Sequence, residues 1–575
     1  MRLQVVNSKN ATSLYIIKSI RIDGKNTSKV VEKLGTMAEL SKIHADPIAW
    51  AKEYIANLNC KEKELKKETI VKFSPSKHIP LDEQVAFNGG YLFLQKIYHL
   101  LGLNKICSQI QKKYKISYSL DDVLSRMIYT RILFPSSKRA ALELSKKFIE
   151  QPNFDLQHMY RALEVITKEY DLIQASLYKN SLKVFPRNTK VLFYDCTNFF
   201  FEIEQEEGLK QYGYSKEHKP SPIVQMGLFM DANGIPLAMS ITPGNTNEQT
   251  TLKPLEKQII KDFELSQVIV CTDAGLASTA NRRFNSINNR AFVTTQSVKK
   301  LKLFLKNWAL DPNDWNLSGY NKTFHLSDIH LEISCHDNPD VLNRVYYKER
   351  WIKEDDLEQR LIVTYSPKYA LYQKSIRDRQ IERAEKMIHV GGAKLHKKKQ
   401  NDFRRFVQSR AYTSDGETAE KTTYFLNQEL VDKEAQYDGF YAVCTNLEDP
   451  ARDILKINQG RWEIEESFRI MKNQFKTRPV FLKRDDRIKA HFITCFISLL
   501  VYRLMEKKLD DRYSSETLIS GLKDMNFHKL RGDGFIPSYT RTTMIDELHD
   551  AFGFRTDFQI VGEKEMKKII KSTKS

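Results

Sequence analysis

Between Ser13 and Gly35 apolar and polar positions alternate through SLYIIKSIRIDGKNTSKVVEKLG, the period of extended strands, with Asp23-Gly24 as the turn between them. A lysine-rich stretch, Lys61 to Lys72, follows as a linker or a solvated face. From about 80 to 185 the period becomes helical. Ser119 is placed to cap SLDDVLSRMIYTRILF, Pro135 interrupts before SSKRAALELSKKFIE, and DLQHMYRALEVITKEYDLIQASLYKN follows Pro152. At Lys190 the pattern changes again, to KVLFYDCTNFFFE, a continuous apolar run broken by Asp195. IVQMGLFMDANGIPLAMSITPGN reads as two strands joined at Ala232-Asn233-Gly234, and SQVIVCTDAGLAS as a buried strand ending at Asp273. Together these segments predict a mixed sheet with buried central strands.

Between about 297 and 445 strand-like pieces (FHLSDIHLEISC, NRVYYKERW, QRLIVTYS) alternate with a charged helical segment, SIRDRQIERAEKMI, and the basic run HKKKQNDFRR. A loop of that length is improbable, so the stretch predicts a separately folded, β-rich insertion. After 450 the pattern is helical. FITCFISLLVY, Phe492 to Tyr502, is too short to span a bilayer and predicts a buried helix. Just before it, GRWEIEESFRIMK carries two stripes. Asn458, Arg461, Glu465 and Lys472 are spaced by three, four and seven and fall on one; Ile464, Phe468, Met471 and Phe475 fall on another.

At 575 residues the chain is too long for one core, and two to four domains are expected. A hydrophobic fraction of 41% with 28% charged residues excludes a wholly disordered chain. The 91 Lys and Arg against 72 Asp and Glu leave +19, spread along the chain. A polyanion, nucleic acid first, is therefore a candidate partner, although solubility alone also accounts for charge. Seven scattered cysteines without a CxxC pair argue for a reducing compartment and against a structural zinc site or a disulfide framework. The first twenty residues lack the apolar core of a secretory signal, so a cytosolic location is expected.

Asp195 and Asp273 each end an apolar strand. Singly, each has an ordinary explanation: Asp273 as cap of a helix starting near Ala274, Asp195 as the start of a turn. The Arg461 and Glu465 pair has one too, as an i,i+4 ion pair. Two strand-end aspartates with a glutamate on a cation-flanked helical face are also what two-metal phosphoryl transfer requires. Carboxylates hold two Mg²⁺ ions about 3.5–4 Å apart, and neighbouring Arg and Lys clamp phosphates.

In their order, Asp195 within YDCTN, Asp273 within CTDAGLAS and Glu465, these residues resemble the DDE transposases of bacterial insertion sequences. The third motif is similar to that of the group with the Tyr-x2-Arg-x3-Glu-x6-Lys signature: Arg461, Glu465 and Lys472 fit its spacing, with Trp462 and IEES in the usual form. Asn458 stands where the signature has tyrosine. The resemblance also takes in the segment from Gly213 to Leu252 and DRIKAHFITCFISLLVYRLM, so that it covers about 185 to 510.

The resemblance implies an α/β fold: an RNase H-like mixed-sheet core at 186–297 and 446–510, with the β-rich insertion at 298–445. Around it would lie an N-terminal β/α segment at 1–75, a mainly helical DNA-binding region at 76–185 and a C-terminal helical tail at 511–575. Asp195, Asp273 and Glu465 would be the catalytic ligands of two Mg²⁺ ions, with Mn²⁺ as a substitute. Asn458, Arg461, Trp462, Lys472, Lys216 and Lys219 would contact DNA. For Trp462 core packing is an alternative, and for the Lys216, His218 and Lys219 turn a solvated surface is. The partners implied are transposon ends, target DNA and a second copy of the chain, with no membrane, in the bacterial cytoplasm at the nucleoid. The activity would be cut-and-paste transposition, an endonuclease step at the inverted repeats and then strand transfer, with or without a hairpin. A metal nuclease on the same fold that does not join strands, and a non-catalytic DNA-binding protein, are the competing readings.

Overall fold

The computed structural model describes all 575 residues except 9–10, 23–24, 66–70, 72–73, 77, 80, 266, 336–338, 391–401, 413–420 and 531. The Asp23-Gly24 turn therefore lies outside the described residues, as do parts of the Lys61–Lys72 stretch and of the HKKKQNDFRR run. The chain forms two compact units.

The first unit comprises Met1–Ala86, His528–Pro537 and Thr556–Lys567. Its strands β1 (Arg2–Asn7), β2 (Thr12–Ile22) and β3 (Lys25–Thr36) pair antiparallel in sequence order. The alternation in β2 buries Leu14 against Leu40 and, from α1 (Pro47–Leu65), Ala51, with Trp50 packed around them.

The second unit comprises Phe87–Phe527, Ser538–Arg555 and Lys568–Ser575. Helices follow one another from Tyr91 to Val184, among them α2 (Leu120–Leu133), α3 (Lys138–Ser145) and α4 (Leu156–Lys168). Ser119 caps α2 as expected, its hydroxyl accepting from the amide of Asp122 at 3.1 Å.

A ten-stranded sheet follows. Its strands are β4 (Val191–Phe200), β5 (Ile223–Asp231), β6 (Pro236–Pro243), β7 (Val268–Thr272), β8 (Arg290–Gln296), β9 (Trp315–Leu317), β10 (Thr323–Phe324), β11 (Tyr346–Glu354), β12 (Leu357–Tyr365) and β13 (Phe440–Thr445). They lie in the order β10-β9-β11-β12-β13-β8-β7-β4-β5-β6. β4, β7 and β8 are parallel, while β4–β5, β5–β6 and β8–β13 are antiparallel. The expected mixed sheet with buried central strands is thus present, and every residue of β5 is buried.

The insertion does not stand apart as expected. Its strands β9 to β13 extend the central sheet through the pairing of β13 with β8, and the Val407–Tyr412 and Lys421–Leu426 strands form a separate pair. The physical reason is that the edge of β8 offers unpaired amides and carbonyls, which β13 satisfies. FHLSDIHLEISC is also corrected: after the two-residue β10 it forms a helix, Leu326–Cys335.

Helices cover both faces of the sheet. α5 (Glu248–Asp262) lies on one, over Leu192, Tyr194 and Cys196 of β4. α6 (Pro367–His389) crosses the insertion. α7 (Ala451–Gln459) lies on the other face, over Val191, Phe193 and Cys271. α8 (Trp462–Arg469) continues from it, and α9 (Asp485–Lys508) runs through the interior with α2 and α4 packed along it. α9 is long and apolar enough to cross a membrane by length and composition, but 94% of its apolar window is buried inside the protein.

Candidate active site

Strand periodicity places the two aspartates. Side chains alternate along β4, so Leu192, Tyr194 and Cys196 face α5 while Val191 and Phe193 face α7. Asp195 shares the parity of Val191 and Phe193. The parallel ladder pairs Phe193 with Cys271, and carrying that register on by two residues sets Asp195 beside Asp273, just past the end of β7. Both carboxylates thus belong to the α7 face. Asp273 does not cap a helix at Ala274. One of its oxygens accepts from the amide of Leu276 at 3.1 Å within a turn, and the next helix begins at Thr279 under Ser278.

The surroundings of Asp195 are cationic. Burial pushes its carboxyl up to about 6; Lys216 opposes that rise, Asp273 adds to it, and the amide of Cys196 and the charge of Arg461 work against it. Lys216 is itself raised: burial disfavours its ammonium, but Asp195, Glu248 and Asp273 together outweigh that. Its Nζ lies 3.5 Å from Glu248 and donates to the carbonyl of Cys196. Lys472 is pushed down to about 8 by burial and by Lys216, with Asp195 pulling the other way. Its Nζ is 3.4 Å from Glu217, which also pairs with Arg478.

The third motif is less regular than its sequence. The stretch is not one helix: α7 ends at Gly460, α8 begins at Trp462, and Ile470–Gln474 forms a π-helical turn. Gly460 is where the segment meets β4, since a Cβ there would stand 2.5 Å from the ring of Phe193. The apolar stripe holds, with Ile464, Phe468, Met471 and Phe475 all buried. The polar stripe does not. Asn458 is buried and donates to the Tyr441 hydroxyl at 3.1 Å. The Arg461 and Lys472 side chains are 14% and 15% exposed, whereas that of Glu465 is 65% exposed. The π turn interrupts the α-helical period between Glu465 and Lys472, so the spacing by seven no longer sets them on one stripe.

The structure therefore gathers Asp195, Asp273, Lys216, Arg461 and Lys472. Glu465 is tied to them only through Arg461, at 3.8 Å. Among the described residues no three His, Cys, Asp or Glu side chains lie close enough together to hold a metal ion. Trp462 is exposed, not packed in the core. Lys219 lies over the ring of Phe200 at 5.6 Å, beside the Arg478 guanidinium at 5.9 Å from the same ring. The Nε of Arg461 is buried with no acceptor, so one strong donor remains available to a ligand oxygen.

Sequence reasoning missed Glu217, Glu248, Tyr441 and Arg478. Glu217 and Arg478 sit within a few residues of the Lys216 and Lys472 positions, but nothing in their spacing announces a shared ion pair.

Residues 198–501, more than half of the chain, match the family described as the transposase DDE domain. The chain belongs to the DDE transposases. The family match takes in Asp273, Arg461, Glu465 and Lys472 and begins three residues after Asp195. No curated protein matches this transposase. Among solved structures it is similar to a piggyBac transposase in a synaptic complex with hairpin DNA, at 8% identity and a TM-score of 0.36 over 83% of this chain and 86% of that one.

Proposed function

We propose that this transposase binds the terminal inverted repeats of an insertion sequence, cuts the phosphodiester at each end in a Mg²⁺-dependent reaction and joins the freed 3′-hydroxyl to target DNA. The observation that carries the reading is the pairing of Asp195 and Asp273 on adjacent parallel strands, facing Lys216 and Arg461. The same pairing in a mixed sheet supports the RNase H-like description of the core.

The donor set fits a hard divalent cation in part. Two carboxylates whose proximity and burial raise the Asp195 pKa offer oxygen ligands to a compensating charge. Asp195 and Asp273 would hold the ions, with Glu465 completing the set once it leaves Arg461. When bound, Mg²⁺ supplies an activated attacking oxygen and stabilises the leaving one. The protein's own cations do the positioning. Arg461 has a free buried donor for a phosphate oxygen, the charge of Lys216 acts on Asp195, and that of Asp195 acts on Lys472. Asn458, in place of the signature tyrosine, is engaged with Tyr441 and turned from solvent. Trp462 and Lys219 remain candidate DNA contacts, as do the helices of 76–185, and a dimer would bridge two ends.

The test uses purified protein, labelled DNA carrying the element's own ends, Mg²⁺ and a plasmid target, comparing wild type with Glu465→Gln. End cleavage and joining that vanish in the variant establish the reading. Cleavage without joining favours a nuclease, and full cleavage by the variant removes Glu465 from the metal site.

A further inference from the structure

A cavity of about 250 Å³ is walled by Arg131, Ser136, Lys138, Tyr160, Arg478 and His491. No carboxylate lines it. Its exposed rim is Ser137, Lys476 and Phe481. Lys138 is only 6% exposed, yet among the described residues its ammonium has no hydrogen bond or ion pair. Arg131 is equally buried; it donates to the carbonyls of Phe475 and Ser136 at 3.1 Å each and keeps an unpartnered Nε. The hydroxyl of Ser136 is buried without a partner. Burying a cation with nothing to neutralise it is costly, and an anion in the cavity would offset that cost.

Two further features give that ligand its sign. α3 starts at the cavity wall, where Ser137 and Lys138 line it, and the Ser137 hydroxyl takes the amide of Ala140 at 3.2 Å, so the positive end of the helix lies beside the cavity. Burial, with Arg131 beside it, pushes the Lys138 ammonium down to about 7, and burial with the charges of Lys138 and Arg131 holds His491 well below its ordinary range. A bound anion would relieve all three groups. The cavity also connects to the catalytic residues by charge: Arg478 shares Glu217 with Lys472, whose ammonium feels Asp195.

We propose that this cavity is a phosphate-binding site and that the phosphate it takes belongs to the backbone of bound DNA. Only the source of the phosphate rests on the DNA-processing reading; the anion site stands without it. Arg131, Lys138 and the start of α3 grip the oxygens, and Ser136 donates the remaining hydrogen bond.

The test compares the full chain with Lys138→Met, which keeps the volume and removes the unpartnered charge; Ser136→Ala serves as a milder second variant. In the first arm, melting is followed in inorganic phosphate against chloride at matched ionic strength. In the second, binding to a labelled duplex of random sequence is followed against salt without divalent metal, so that neither catalysis nor end recognition enters. Wild type is expected to gain a saturable rise in Tm with phosphate that Lys138→Met lacks. The variant's duplex affinity should fall about tenfold at 0.1 M salt, with the salt slope reduced by about one. A changed duplex slope without a phosphate shift still supports the proposal and shows that the site takes backbone phosphate alone. A phosphate shift lost with duplex binding intact overturns the DNA assignment, and both arms unchanged in Lys138→Met and Ser136→Ala overturn the site.

Discussion

Asp195 and Asp273 are set by a ladder of backbone hydrogen bonds, whereas Glu465 is set by side-chain packing on a helical segment that changes pitch twice in fifteen residues. The register of β4 against β7 cannot slip without turning every buried side chain to the wrong face. Helix position has no such lock. It depends on Gly460 against Phe193 and on the π turn, and the glutamate it carries is exposed and paired with Arg461. Two carboxylates are fixed by the sheet, while Glu465 is exposed and held only by Arg461.

That contrast can be broken first at its strong side. Asp195→Asn or Asp273→Asn is expected to reduce Mg²⁺-dependent cleavage of the labelled ends on the order of 10³-fold, since several kcal/mol of charge stabilisation would go with one ligand. Retained cleavage in either variant would mean that the register does not build the catalytic pair.

The helical side is sharpened next. Gly460→Ala forces a Cβ into Phe193 and should destabilise the second unit by about 1–3 kcal/mol in denaturant titration, with reduced cleavage. Phe193→Leu in the same chain makes room and should restore part of both. If it does not, the glycine serves something other than close approach.

A smaller effect follows from charge. The Asp195 carboxyl is raised from 3.8 to about 6, so the native chain holds that proton more tightly than the unfolded one. The stability it contributes is whole below about 3.8 and is lost as the pH rises through about 6. Without divalent metal, Asp195→Asn should therefore melt about 2 °C above wild type at pH 7.5, and the gap should close toward pH 4. A gap independent of pH would assign the gain to packing.

The smallest change is expected at Asn458. Its amide nitrogen binds Tyr441 while its carbonyl oxygen is buried without a donor, so Asn458→Leu loses one hydrogen bond and one unsatisfied group together. A shift below about 1 kcal/mol is expected in the same titration. A larger loss would show that the Tyr441 contact anchors α7.

Much of the sheet was legible in the sequence because its strands are apolar runs bounded by turns: β4, β5, β6 and β7 stand where the pattern predicts them, and Asp273 follows the end of β7 as expected. Asp195 does not end its strand or begin a turn: β4 runs on to Phe200, because the apolar residues after it stay paired with β5. The capping serine before α2, Ser119, was legible for the same local reason. The polar stripe was not. Spacing by three, four and seven assumes one uninterrupted α-helix, and neither the break at Gly460 nor the π turn is written in local propensity. The alternation in FHLSDIHLEISC likewise suits a strand or a short helix, and its neighbours chose the helix.

The sequence by itself determined the strand faces, Asp273 at the end of an apolar run and the buried stripe from Ile464 to Phe475, because each follows from the period of a single element. Only the tertiary structure decided that the insertion's strands extend the central sheet, that Glu217 joins Lys472 to Arg478, that Glu465 faces solvent and that Arg131 and Lys138 share a cavity without a carboxylate. These depend on contacts between residues far apart in the chain, where the free energy of burial and ion pairing is set by what arrives on the other side.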